Sequence, residues 1–222
     1  YFGGVNYFNP EYEIYTRYSY SSNEKQGLSN PVVGRTIEDK NGNLWIGTEG
    51  GGLNYFNRRT REFKWYRPQE GRNSISHNNV KALYYDADKE IIWIGTHLGG
   101  LNRLDIRSGH FTHYRMEDNN RQTLPSDIVR DIIPYKDLLI VATQNGVCLF
   151  DPDSGKCRQL FKDSKEGKSI KMVADILLDS EGTLWIAATG EGVFNYRFDT
   201  RKLTNYRHDS ANPNSLSNNN VN

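Results

Sequence analysis

Glu49, His97, Gln144 and Glu191 each follow a short apolar run, with Asn145 beside Gln144, and His77, Asn78 and Asn79 stand together ahead of another such run. Glu, Gln and Asn can hydrogen-bond the hydroxyls of a sugar, and Tyr or Trp can stack on a sugar face. The same residue types also serve as solvated turn positions and turn caps. Acid–base or metal chemistry has less support. The five His residues show no His-x-x-x-His spacing, the pattern that would put two ligands on one helix face. The acidic stretch Asp151-Pro152-Asp153-Ser154-Gly155 lacks the later bidentate Glu of a calcium loop and reads as a turn. No catalytic residue, metal or cofactor is expected in this chain.

The elements that must position these side chains form a repeat. Leu44-Trp45-Ile46-Gly47-Thr48 returns as Ile92-Trp93-Ile94-Gly95-Thr96, as the degraded Leu139-Ile140-Val141-Ala142-Thr143, and as Leu184-Trp185-Ile186-Ala187-Ala188-Thr189. A glycine follows at Gly4, Gly52, Gly100, Gly146 and Gly192, and an aromatic closes each unit at Tyr18, Tyr66, Tyr114, Phe161 and Tyr206. The period of about 47 residues suits a propeller blade. Each unit reads as four short strands, A to D, rich in β-branched and aromatic residues and bounded by Gly, Asn and Asp. In one unit these are Val80–Tyr85, Ile91–Thr96, Leu101–Leu104 and His110–Arg115. No stretch sustains a helical period. The expected class is all-β, with propeller blades of four antiparallel strands forming part of a larger ring. Residues 1–30 hold strands C and D of one blade, 31–79, 80–127, 128–171 and 172–220 are full blades, and 221–222 begin another. Trp45, Trp93 and Trp185, equivalent on strand B, are expected to pack between neighbouring blades.

The pattern Asp39-Lys40-Asn41-Gly42-Asn43-Leu44-Trp45-Ile46-Gly47-Thr48, then Gly52-Leu53, resembles the two-component regulator propeller repeat. Asp179, Gly182, Leu184-Trp185-Ile186, Thr189 and Gly192-Val193 match it well, and the third full unit lacks both the turn Gly and the Trp. Gly27-Leu28-Ser29-Asn30, Asn73 to Asn79 and Asn214 to Asn219 are similar to the family's Ser-Leu-Ser-x-Asn linker. The resemblance implies the periplasmic sensor of a bacterial hybrid two-component histidine kinase. It implies seven-bladed propellers, a membrane span and phosphorelay domains elsewhere in the parent, and oligosaccharides from polysaccharide breakdown as inputs. The expected partners are an oligosaccharide or other small ligand, the remaining blades and downstream signalling domains, and a second copy in a homodimer. No kinase motif occurs in these residues.

Composition agrees with an ordinary folded segment. The chain has 222 residues, net charge +1 and 12% aromatics, which argues against disorder. It has no Lys/Arg block, so neither nucleic acid nor a membrane surface is an expected partner. It has no apolar run of about 18 residues, so no membrane-spanning helix is expected. It starts at Tyr1 without Met or a signal pattern and is read as a piece of something longer.

By strand order, the B–C turns and D–A connections share one end of the blades. They differ between units, whereas the A–B and C–D turns are short and alike. Ligand or partner contacts are therefore expected on the B–C/D–A face, from Glu49, His77, Asn78, Asn79, His97, Gln144, Asn145 and Glu191. Cys148 and Cys157 fall on strands C and D of one hairpin, within a residue of facing each other. A cross-strand disulfide and two semi-buried thiols both fit that placement. Three functions are weighed: a non-catalytic sensor of carbohydrate-type ligands, an interaction or dimerisation scaffold, and a propeller lyase of the streptogramin-lyase type.

Overall fold

The computed structural model describes residues 5–9, 14–161 and 170–221. Strands β1 (Val5–Asn9) and β2 (Ile14–Tyr18) form a two-stranded antiparallel sheet, followed by a short 3-10 turn at Glu24–Gln26. Four four-stranded sheets follow, each in chain order. The first has β3 (Val33–Glu38), β4 (Leu44–Thr48), β5 (Gly52–Asn57) and β6 (Glu62–Tyr66). The second has β7 (Val80–Asp86), β8 (Ile91–Thr96), β9 (Leu101–Asp105) and β10 (His110–Tyr114). The third has β11 (Val129–Tyr135), β12 (Leu138–Thr143), β13 (Gly146–Phe150) and β14 (Cys157–Gln159). The fourth has β15 (Val173–Leu178), β16 (Thr183–Ala188), β17 (Gly192–Arg197) and β18 (Lys202–Tyr206). These bounds lie within a residue or two of the expected ones wherever strands were assigned. Gly4, Asn222 and most of the Lys162 to Lys171 connection lie outside the described residues.

The chain divides into two compact units, residues 1–113 and 114–222. In the first, Leu28, Ile46, Phe56 and Phe63 pack with Val5 and Tyr18, joining the two-stranded sheet to the first full blade. The other face of that blade presents Trp45 and Leu53 to Ile75, Val80, Leu83, Ile92, Ile94, Leu104 and Phe111 of the next. Trp45 therefore fills a blade-to-blade seam, where a large ring removes the most apolar area from water. Trp93 is likewise buried.

In the second unit the seam is built without tryptophan. Ile140 holds the position of Trp45 and packs with Val173, Ile176, Leu184, Ile186 and Phe194. The missing ring volume is supplied from elsewhere: Tyr135 stacks on Phe198 at 4.3 Å between centroids, and Phe161 meets Tyr196 edge-on at 4.7 Å. Trp185 is only half-buried and stacks on Tyr206.

Each strand A carries a register irregularity just after its opening valine, at Val33, Val80, Val129 and Val173. A bulge there bends the strand as it enters the ladder.

Candidate functional site

The long D–A connections differ in sequence, yet they share one construction. Each carries an inward aliphatic side chain: Leu28, Ile75 and Leu124 are fully buried, and Leu216 is half-buried. In three of them a Ser or Thr hydroxyl oxygen accepts a backbone N–H from earlier in the loop: Ser74 accepts from Gln69 N at 2.9 Å, Thr123 from Glu117 N at 3.1 Å and Ser215 from Asp209 N at 2.9 Å. A second tie joins the connection to strand C. The Ser29 N–H donates to Asn54 Oδ1, and Asn54 Nδ2 donates to Ser29 Oγ, both at 2.8 Å. Ser76 and Asn102 repeat both bonds at the same lengths. The threonine of each Ile-Gly-Thr run closes the adjoining B–C turn, Thr48 onto the Gly52 carbonyl at 2.9 Å and Thr96 onto Gly100 at 3.0 Å. A Cβ on Gly51 would lie 2.3 Å from Ser29 Oγ, and one on Gly99 would lie 2.4 Å from Ser76 Oγ. Only glycine passes between the two hydroxyls. This end of the blades is thus a rigid, repeated frame.

In the first unit the frame gathers all five candidates assigned to it. The Asn78 carbonyl accepts from Gly50 N (3.1 Å) and Gly52 N (2.7 Å), and the Asn79 carbonyl accepts from His97 N at 3.0 Å. Glu49 bridges to Asn79 through the backbone. His77 Nδ1 accepts the Asn79 N–H at 3.1 Å, which fixes its proton on Nε2. The His77 and His97 rings lie 6.4 Å apart. The Glu49 carboxylate is paired with the Lys81 ammonium. Asn79 Oδ1 is buried with no hydrogen-bond partner. The B–C turn between these groups holds Leu98 in the left-handed region (φ 75°), with 53% of its surface exposed. A branched side chain held there at a loop tip is uncommon. The sequence carries no signal for it, because a lone Leu beside Gly99 and Gly100 has the composition of an ordinary turn.

In the second unit the Gln144 N–H donates to the Ile128 carbonyl at 2.9 Å, and the Gln144 carbonyl accepts from Met172 N at 2.7 Å. Asn145 is exposed and borders a cavity of about 800 Å³. Its wall mixes polar Glu117, Arg121, Gln159 and Lys171 with apolar Leu124 and Ile170. The wall is set by the 115–128 connection, which is tied to β14 through Cys157 N to the Gln122 carbonyl at 2.7 Å.

Glu191 does not share the place of Glu49, His97 and Gln144. Their N–H groups donate to the carbonyl just ahead of strand A, and in the last blade that bond comes from Thr189 to Met172 at 3.1 Å. The run there reads Ile-Ala-Ala in place of Ile-Gly-Thr, with a Thr one residue later, which hides the offset. Glu191 lies two residues on and pairs with Arg207 at 2.5 Å.

The cysteines also differ from the expected near-facing pair. Cys148 opposes Gln159 and Cys157 opposes Phe150, so the two are diagonal neighbours. They are free, buried thiols with sulfurs 3.0 Å apart.

Among the described residues no group of three or more His, Cys, Asp or Glu is placed to hold a metal ion. The arrangement offers hydrogen-bond donors and acceptors on fixed backbone, charges already neutralised in pairs, and one exposed apolar side chain. Such a surface suits binding.

Two family models match the sequence: the SMP-30/Gluconolactonase/LRE-like region over residues 81–219, and the two component regulator propeller over residues 27–50. No curated protein sequence matches the chain. Among solved structures, the extracellular domain of a putative hybrid two component system from B. thetaiotaomicron is similar at 26% identity with a TM-score of 0.74. The match covers 82% of this chain and 25% of that one. The extracellular domain of a putative one component system from the same organism is similar at 24% identity and a TM-score of 0.72, over 94% of this chain and 29% of the other. A catalytically inactive virginiamycin B lyase from Staphylococcus aureus shares the fold at 12% identity and a TM-score of 0.65, over 92% of this chain and 63% of the lyase. The chain therefore spans about a quarter of the two extracellular domains it matches, and its sheets are blades of a larger propeller. Both of those neighbours are extracellular domains. No helix among the described residues is long and apolar enough to cross a membrane. By the extent of the first family model, the chain belongs to the SMP-30/Gluconolactonase/LRE-like family, and residues 27–50 match the two component regulator propeller repeat.

Proposed function

We propose that the chain is a ligand-recognition segment of a periplasmic sensor in a two-component signalling protein, and that its ligands are oligosaccharides released from polysaccharides. The observation that carries this reading is the pairing of a sensor-type repeat with a rigid B–C/D–A face, on which Glu49, His77, Asn79 and His97 are tied to one another and the strained, exposed Leu98 follows His97. Polar groups fixed on backbone recognise hydroxyls with little ordering cost, and Leu98 supplies an apolar contact for a ring face. Asn145 and Gln144 would add contacts in the second unit, beside the cavity that Asn145 borders. The propeller itself carries no catalysis in this reading; it passes the bound state to the signalling domains of the parent, with further blades and a second copy as its protein partners.

Short neutral and acidic oligosaccharides, titrated against the protein in a thermal-shift assay, test the reading, because a ligand that binds only the folded state raises its melting temperature. The expected result is a shift with one sugar class that Leu98→Gly and His97→Ala each diminish. No shift with any class, or a shift untouched by either substitution, would favour the interaction-scaffold reading. A lyase or lactonase reading draws on the family model over residues 81–219; metal-dependent turnover of a lactone by the protein would establish it.

A further inference from the structure

Cys148 and Cys157 are the only cysteines of the chain. Cys148 lies in the middle of β13 and is fully buried; Cys157 opens β14 and is 5% exposed. Being two steps apart in register, they lie on the same face of the hairpin. Their sulfurs are 3.0 Å apart, roughly 1 Å beyond a disulfide bond length. Because diagonal neighbours stand farther apart than directly opposed ones, closing that gap takes an adjustment of the hairpin along with the two side chains.

The neighbouring blades show why a thiol can stand at 148. In the first two full blades this position is Asn54 or Asn102, whose Oδ1 accepts the N–H of Ser29 or Ser76, and in the last it is the buried Phe194. Counting back from the opening valine of strand A, the residue in the place of Ser76 is Pro125, which has no N–H to donate. The acceptor is not needed, and the Asn tie is lost. The same blade has the shortest outer strand: β14 is three residues long, against five in β6, β10 and β18. Its outer edge is therefore held by fewer ladder bonds than its counterparts.

We infer that Cys148 and Cys157 form an intrachain disulfide when the protein folds outside the cytoplasm, and that this bond fastens β14 to β13. The oxidant is a dithiol–disulfide exchange partner in its disulfide form. The thiolate of one cysteine attacks a sulfur of that disulfide and releases one of its thiols. The second cysteine then attacks the mixed disulfide and releases the other. Two S–H bonds of the protein are lost and one S–S bond is formed, while the two electrons and two protons end on the partner as two thiols. Burial pushes the Cys148 thiol well above its ordinary value, so the exchange belongs to folding, before β14 closes over it.

The test compares the protein exported to an oxidising compartment with the same protein made in a reducing cytoplasm, both denatured in the presence of an alkylating agent. The exported form is expected to be lighter by two hydrogens and to take up no alkyl group. Trypsin should then yield the segment 137–156 joined to the dipeptide 157–158. The cytoplasmic form should take up two alkyl groups and melt on the order of 5–10 °C lower, as closing a loop of this length stabilises mainly against the unfolded chain. Two alkylated cysteines in the exported protein, or either cysteine linked to a second molecule, would overturn the bond. Equal melting temperatures of the two forms would overturn its role as a fastening.

Discussion

The indole N–H of Trp185 donates to Asp179 Oδ2 at 2.8 Å, and Trp45 makes the same bond to Asp39 at 3.2 Å. The other carboxylate oxygen of each aspartate accepts two N–H groups of the A–B turn, from Asn41 and Asn43 in one blade and from Glu181 and Thr183 in the other. One side chain thereby holds the turn and aims the tryptophan that follows, which is why Asp and Trp recur six residues apart.

Asp179 makes this relationship testable by pH. Its carboxyl is held below the ordinary 3.8, first by the Trp185 bond and next by the Thr183 N–H. A carboxyl with a lowered folded pKa adds stability that is present above its unfolded pKa and is lost as pH falls through the folded one. Asp179→Asn is therefore expected to melt below the wild type at neutral pH. The gap should close as pH is taken below 3.8, where the wild-type carboxyl also becomes protonated. Calorimetry at stepped pH reads the gap; one that stays constant into strong acid would mean the charge is not what matters.

Gly99 separates two hydroxyl groups that a methyl would strike. Its added Cβ would meet Ser76 Oγ at 2.4 Å, Thr96 Oγ1 at 2.6 Å and His77 Cβ at 2.7 Å. Overpacking of this kind costs roughly 1–3 kcal/mol, and Gly99→Ala is expected to lose that much in urea unfolding. Gly34→Ala, whose Cβ would meet nothing nearer than 3.5 Å, should stay within about 0.5 kcal/mol of wild type. Because the clash also displaces His77 and the B–C turn, Gly99→Ala should weaken oligosaccharide binding beyond its effect on stability.

The repeat was legible because its markers are side chains with one structural task each. Trp45 fills a seam, Thr48 and Thr96 close a turn, and Asp39 caps a hairpin. Such tasks select one residue type, so the period stands out even where single blades drift. The proposed binding face was legible only in part. Glu49, His77, Asn79 and His97 do come together, but through backbone carbonyls of Asn78 and Asn79, and a carbonyl acceptor leaves no residue signature. For the same reason the sequence points to Glu191 where Thr189 holds the equivalent place, and it hides that the 115–128 connection, which departs from the Ser-Leu-Ser-x-Asn pattern, shares the loop construction of the other two. The diagonal placement of Cys148 and Cys157 depended on a turn of six residues, Asp151 to Lys156, whose geometry fixes register more tightly than a midpoint count does.

Lys81 and Glu49 form an ion pair beside the proposed binding surface, with side chains 25% and 45% exposed. Exposed pairs contribute about 0–1 kcal/mol, so Lys81→Met should change the melting temperature little. It frees the Glu49 carboxylate, however, and adds one net negative charge to the face. An acidic oligosaccharide should bind Lys81→Met more weakly than it binds wild type, and a neutral one should bind about equally. Isothermal titration with both sugars checks the difference; parallel losses for the two would remove Glu49 from the surface that ligands touch.

Ser76 and Asn102 offer the sharpest test of how the frame is built. Asn102 is fully buried, and its removal leaves the Ser76 N–H without an acceptor. Asn102→Ala should therefore cost about 1–3 kcal/mol. Pro125 shows that the backbone at this place accepts proline in the next blade, where Cys148 supplies no equivalent acceptor. Ser76→Pro removes the stranded N–H itself. In the wild-type background it should destabilise, since it discards a good bond to Asn102. In the Asn102→Ala background it should cost less, because the buried donor left unpaired by the first change is gone. The double-mutant cycle is expected to show a favourable coupling of about 1–2 kcal/mol. Strict additivity of the two substitutions would mean that Asn102 acts by filling space and that the exchange of Ser–Asn for Pro–Cys between blades has another cause.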